Sequence, residues 1–160
     1  AQQRFDQLCD LVSEPSPVAT PTWLDQQIDT IFALPTVVDI INALQRANND
    51  WATQTLHCLR QRSPLMLHVT LEQIRRGRLL SMADDLRMER NIVHHCFHTE
   101  HLGRSGKTSE TVEGIRALVV DKDHAPQWNP ARIEDVTSEM VEPFFHSPWP
   151  ADQHPLADID

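Results

Sequence analysis

Apolar side chains recur at helical spacing along most of the chain. In the first segment the stripe consists of Phe5, Leu8, Leu11 and Val12. Residues three or four positions apart lie on one face of a helix, so this spacing predicts an amphipathic helix. Prolines between Glu14 and Pro21 break the pattern. Further stripes predict helices that begin near Thr22, Pro35 and Asp50.

Three serines mark the starts of later helices. Ser63-Pro64 combines a capping residue with proline at the first helical position. Ser81 is followed by two aspartates in the first turn, where the helix dipole favours negative charge. The segment from Ser109 to Asp123 is rich in β-branched residues, which suit a strand, but its apolar positions recur at helical spacing. We predict that it is a helix.

These patterns together predict an all-α fold class of about seven helices. The predicted helical domain covers residues 1–146, with a leading helix and proline-rich loop over 1–21 and further helices over 22–146. Residues 147–160 contain several prolines and little apolar content. They are predicted to form an extended or disordered tail.

Composition narrows the class of protein. The formal net charge is −9, which argues against nucleic acid and anionic membrane surfaces as partners. The sequence contains no apolar run of the roughly 18–20 residues that a membrane span needs. Three widely spaced cysteines, Cys9, Cys58 and Cys96, fit reduced thiols better than a disulfide framework. These features favour a cytoplasmic location.

The stretch from His94 to Glu110 contains two motifs with possible chemistry. His94, His98 and His101 could share one helical face, and imidazole suits zinc or nickel. No fourth ligand stands at a recognised spacing, so these histidines are weak candidates and we predict no metal site.

Gly106-Lys107-Thr108 resembles the end of a phosphate-binding loop, but His101 occupies the position of the first glycine. A Gly/Ser surface loop is the simpler interpretation.

Catalytic motifs are missing from the sequence. It contains neither a Gly-x-Ser-x-Gly elbow nor a Cys–His pair in a convincing context. Most acidic residues fit first-turn or i,i+4 positions on helices. No residue of this chain is therefore predicted to be catalytic, and no covalently bound cofactor is expected.

Two longer stretches carry a family resemblance. They are SPLMLHVTLEQIRRGRLLSMADDLRMERNI (63–92) and VEGIRALVVDKDHAPQWNPARIEDVT (112–137). In order and spacing they resemble the C-terminal part of 3-hydroxyisobutyryl-CoA hydrolases, a branch of the crotonase (enoyl-CoA hydratase/isomerase) superfamily. The resemblance covers roughly residues 22–140. It departs from the family at Glu110-Thr111, His68 and Arg90 and through an insertion over 99–109, which indicates a diverged branch.

The resemblance implies that this chain is a helical C-terminal domain without the β/α spiral core. In the family that core holds the thioester carbonyl in an oxyanion hole and supplies the carboxylates that act on water. The chain's own N-terminal core and an acyl-CoA substrate are the partners implied. The resemblance also makes Lys122 the candidate to approach the CoA nucleotide, although a solvent-facing lysine is an equal interpretation.

Several hypotheses about function follow. The first is thioester hydrolysis of a short acyl-CoA by a longer protein, in valine catabolism. The alternatives are hydratase or isomerase activity on an enoyl-CoA, and a non-catalytic helical module for interaction or oligomerisation. A module cut from its core would expose an apolar patch and could form a homodimer.

Overall fold

The computed structural model describes residues 22–159, which fall into two units. The first unit contains helix α1, Thr22–Phe32. The second begins at Leu34 and contains all the other elements. The predicted leading helix, the proline-rich loop and Cys9 lie outside the described residues.

Four helices of 11 to 16 residues open the second unit. They are α2 (Val37–Ala47), α3 (Asp50–Arg60), α4 (Pro64–Gly77) and α5 (Met82–Phe97). The Ser63 hydroxyl caps α4 by accepting from the Met66 N–H, and Pro64 is the first helical residue. The Ser81 hydroxyl caps α5 by accepting from the Asp84 N–H. Both predicted caps are confirmed, because capping depends on residues close in the sequence.

Shorter elements follow α5. Two 3-10 turns, Glu100–Leu102 and Gly106–Thr108, lead to α6, Glu110–Ile115, which Ser109 caps. The predicted helix from Ser109 to Asp123 is helical at its start but changes to a π turn over Arg116–Val120 and ends there. The remaining elements are a 3-10 turn (Ile133–Asp135), α7 (Ser138–Val141) and two more 3-10 turns (Glu142–Phe145 and Ala151–Gln153). No β-strand occurs within residues 22–159.

Two apolar clusters lie in the described core of the second unit. The larger one joins α4, α5 and the α7 region through Leu65, Val69, Met88, Ile92, Val141 and Phe144. Phe144 is 1% exposed, and burying a side chain of this kind contributes about 1.5–3 kcal/mol. The smaller cluster joins α2 to the turn near residue 133 through Val37, Ile41 and Ile133.

Part of the apolar surface stays exposed after these helices have packed. Ile115, Leu118 and Val119 lie on one side of the α6 segment and are 47%, 61% and 59% exposed. Leu79 and Met82, at the α4–α5 junction, are 90% and 76% exposed. Large side chains grouped in this way typically mark a surface that contacts further protein or a ligand. Among residues 22–159, no helix is both long enough and apolar enough to span a membrane.

Candidate functional site

A groove of about 730 Å³ lies beside the exposed face of α6. One wall comes from the junction of α3 and α4, and the other comes from α6, its π turn and the loop that follows. We call it the α6 groove. Its lining residues are Arg60–Ser63, Met66, Glu110, Thr111, Gly114, Ile115, Ala117–Val119, His124, Pro126 and Trp128. The volume is within the range of about 300–1,000 Å³ typical of small-molecule sites.

A buried carboxylate joins the two walls. Glu110 is 7% exposed, and its Oε2 accepts a very short hydrogen bond from the Ser63 hydroxyl, at the start of α4. Its Oε1 accepts from the Asn129 N–H at 3.1 Å and lies 3.5 Å from the Arg104 guanidinium. From the sequence, Glu110 is a departure from the family pattern and an acidic residue in the first turn of the predicted helix. The structure gives it a role in tying α6 to α4 and to the chain at Asn129.

Arg116 clamps the loop that follows the π turn. Its guanidinium donates to Glu113 at 2.8 and 2.9 Å, to Asp121 at 2.6 Å and to Asp123 at 2.7 Å. These contacts raise the pKa of Arg116, with the Glu113 hydrogen bonds as the largest cause. The same contacts lower the pKa of Glu113, while the Ala125 N–H is the main cause of the lowered pKa of Asp123. The loop is therefore folded back onto α6.

Gly114 leaves room for an indole ring on the groove wall. A Cβ atom added to Gly114 would lie 3.4 Å from Cη2 of Trp128. The Trp128 indole N–H donates to the carbonyl of Gln61 at 3.2 Å, so the ring bridges α6 and the end of α3. The residues Glu113, Gly114, Arg116 and Trp128, which carry the family resemblance, thus build the loop and the groove wall.

Lys122 lies in the clamped loop. Its φ is 55° and its side chain is exposed. No ion pair involves it within residues 22–159. Contact between Lys122 and a CoA nucleotide stays a prediction.

The candidate metal ligands are only partly brought together. The rings of His94 and His98 stack with centroids 4.2 Å apart, whereas His101 packs against Phe144 and His95. Burial and the neighbouring His98 lower the pKa of His94, and burial is the main cause of the lowered pKa of His101. In the described part of the chain, no three His, Cys, Asp or Glu side chains form a group that could hold a metal ion.

The segment that resembles a phosphate-binding loop forms a turn packed against α5. Gly106-Lys107-Thr108 is a 3-10 turn. A Cβ atom at Gly106 would overlap the backbone carbonyl of Phe97. Thr99 and Ser109, at the two ends of the insertion, are 2% and 0% exposed. The insertion is therefore anchored at both ends, which its Gly/Ser composition did not indicate.

Replacing Arg116 by Gln is expected to loosen the loop over residues 121–127. The variant keeps an amide N–H donor, but it loses the positive charge and the several guanidinium N–H groups that contact three carboxylates. Hydrogen exchange followed by mass spectrometry should show faster exchange in this loop and unchanged exchange in α4. Arg132→Gln is the matched control, because Arg132 forms an exposed pair with Glu134 at 3.5 Å. Equal exchange in the wild type and Arg116→Gln would contradict the clamp.

Comparison with known proteins identifies the family. The family model for enoyl-CoA hydratase/isomerase matches residues 2–145. The chain is 38% identical to a probable 3-hydroxyisobutyryl-CoA hydrolase 2 of Arabidopsis thaliana over 74% of this chain and 31% of that protein. It is 41% identical to the small ribosomal subunit protein mS47 of the same plant, over 74% of this chain and 28% of that protein. The chain therefore belongs to the enoyl-CoA hydratase/isomerase family, that is, to the crotonase superfamily.

A solved structure also matches this chain in three dimensions. A carnitinyl-CoA dehydratase from Mycobacterium thermoresistibile matches 91% of this chain with a TM-score of 0.72 and 33% identity. The match covers 39% of that protein, and the chain spans about a third of the length of the curated relatives named above.

The predicted fold class was wrong. We predicted an all-α helical domain lacking the β/α spiral core, but the family model and the solved structure, which matches 91% of the chain, indicate a crotonase-like fold. The prediction failed because helical periodicity reports which face of each segment is apolar but not the larger fold in which that face is buried.

Proposed function

We propose that the chain forms the C-terminal part of an acyl-CoA thioester hydrolase similar to 3-hydroxyisobutyryl-CoA hydrolases. The observation that carries the proposal is the α6 groove, because Gly114 and Trp128, which carry the family resemblance, lie on its wall. Exposed Ile115, Leu118 and Val119 on that wall would contact the protein's own crotonase core or the acyl-CoA. Catalysis itself would come from the core, through oxyanion stabilisation and activation of water.

In this proposal, the residues described above hold the groove walls and the loop after the π turn in place. Glu110 and Trp128 fix the two walls of the groove relative to each other. The Arg116 clamp fixes the loop that presents Lys122, which would approach the nucleotide of CoA. Hydrolysis in valine catabolism and a cytoplasmic location are part of the proposal and come from the family resemblance and from composition.

The reaction can be tested on the complete product of the reading frame that encodes this chain. With 3-hydroxyisobutyryl-CoA we expect release of free thiol, measured with a thiol reagent. The 160-residue chain alone should give no turnover above the uncatalysed rate. Turnover by the chain alone would contradict the assignment of catalysis to the core, and no thiol release by the complete product would contradict the hydrolase.

Hydratase or dehydratase chemistry is the second candidate, favoured by the match to a carnitinyl-CoA dehydratase. The same complete product would then change the ultraviolet absorbance of an enoyl-CoA without releasing thiol.

A third candidate is a non-catalytic interaction module, favoured by the exposed apolar side of α6. Light scattering at several concentrations distinguishes a homodimer of the isolated chain from a monomer.

A further inference from the structure

The two walls of the α6 groove differ in chemistry. The α6 wall is mainly apolar, and its Ile115, Leu118 and Val119 are 47%, 61% and 59% exposed. The opposite wall, at the junction of α3 and α4, contains Arg60 and Arg62, which are both exposed. A ligand that fits both walls therefore has an uncharged part and a negatively charged part.

Arg60 and Arg62 have no carboxylate that balances their charge. Within residues 22–159, no ion pair involves either guanidinium. This is unexpected in a chain whose 23 Asp and Glu residues outnumber its 14 Lys and Arg residues. The described arginines that do bind a carboxylate or a backbone carbonyl are Arg75, Arg76, Arg87, Arg104, Arg116 and Arg132.

The carboxylate on the groove lining is engaged elsewhere. Among the described residues that line the groove, only Glu110 is acidic. Its oxygens accept from the Ser63 hydroxyl and the Asn129 N–H and lie beside the Arg104 guanidinium. The side chain is buried by these contacts and forms no ion pair with the two arginines of the α3–α4 wall. That wall therefore presents unbalanced positive charge to the groove.

We infer that Arg60 and Arg62 bind the phosphates of the acyl-CoA, while its uncharged pantetheine arm lies against the apolar α6 wall. The inference rests on the proposed function for the identity of the ligand and on the groove for the place where it binds. Guanidinium groups match phosphate oxygens in geometry as well as in charge, and CoA carries a pyrophosphate and a further phosphate on its ribose. Lys122 does not line the groove. The two arginines are therefore different cations from the one that the family resemblance suggests.

Calorimetry with CoA tests the inference on the complete product of the reading frame that encodes this chain. The double variant Arg60→Gln/Arg62→Gln should bind CoA about tenfold more weakly or worse, because losing even one hydrogen bond to a charged group has an effect of this size. Pantetheine, which lacks the phosphates, should bind the variant and the wild type equally. Equal affinity of the two proteins for CoA would overturn the inference, and so would a wild type that does not bind CoA.

Arg46→Gln/Arg78→Gln is the matched control. Both arginines are exposed, neither forms an ion pair within residues 22–159, and neither lines the groove. The control removes the same charge from sites outside the groove, where salt screens its effect on a bound ligand. It should therefore keep the CoA affinity of the wild type. An equal loss of affinity in both double variants would show that net charge and not the groove attracts CoA, against the inference. Urea unfolding checks that both variants are folded.

Thiol release from 3-hydroxyisobutyryl-CoA separates this inference from the proposed function. In Arg60→Gln/Arg62→Gln we expect KM to rise by about tenfold and kcat to stay close to that of the wild type, because the lost contacts bind substrate and transition state equally. Normal thiol release with an unchanged KM would overturn the inference and leave the hydrolase in place. Arginine-dependent CoA binding without thiol release would contradict the hydrolase and support the phosphate site.

Discussion

Glu110→Ala is expected to lower the free energy of unfolding by about 3–5 kcal/mol, the range for breaking a buried ion pair from one side. The substitution leaves the Ser63 hydroxyl, the Asn129 N–H and the Arg104 guanidinium without the acceptor that they share. Arg104 is 13% exposed and already has a buried Nε without a hydrogen-bond partner, so water cannot readily replace the lost carboxylate. Urea unfolding at pH 7 measures the change.

Glu134→Ala is the matched control for Glu110→Ala. Both glutamates lie 3.5 Å from an arginine, but the Glu134 side chain is 51% exposed and that of Glu110 is 6% exposed. An exposed pair contributes about 0–1 kcal/mol. The control should therefore unfold close to the wild type. Glu110→Gln, which keeps one acceptor oxygen, should lie between the two. Equal losses in Glu110→Ala and Glu134→Ala would show that the buried tie between α4 and α6 does not stabilise the fold.

Gly106→Ala is expected to destabilise the chain by about 3 kcal/mol, at the upper end of the range for overpacking. The added methyl would overlap the Phe97 carbonyl, which is backbone at the end of α5 and cannot rotate away. Thermal and urea unfolding should both show the loss. Faster hydrogen exchange over 97–109 should accompany it, because the insertion must lift off α5.

Gly103→Asn separates this steric effect from backbone preference. Gly103 has a φ of 68° and no atom within 4 Å of an added Cβ. Asparagine tolerates the left-handed region, so this variant should stay within about 0.5 kcal/mol of the wild type. Equal stability of Gly106→Ala and Gly103→Asn would contradict the close approach of Gly106 to the end of α5.

Short-range features of the fold could be predicted from the sequence. The caps at Ser63, Ser81 and Ser109 depend on residues three positions away, so a local pattern contains the whole interaction. The helical segments depend on apolar spacing, which is also local. The π turn at Arg116 was not predicted, because it coincides with the return of Asp121 and Asp123 to the guanidinium.

Long-range features of the candidate site could not be predicted. The Ser63 and Glu110 side chains meet across 47 positions, and no spacing rule relates residues so far apart. Arg87 and the carbonyls of Leu156 and Ala157, to which it donates, are separated by about 70 positions, and no local pattern relates them. The fold class was missed for the same reason, since apolar spacing along single segments does not indicate the larger fold to which those segments belong.

The Arg116 clamp and the Trp128 bridge affect how far sequence similarity can be used to infer function. The residues that make this family recognisable in a 160-residue chain shape a loop and a groove wall. Their contacts hold that shape whether or not the protein turns over a thioester. A similarity search that depends on this block therefore groups proteins by shared architecture, and assigning a reaction to any one of them requires the residues that touch the substrate.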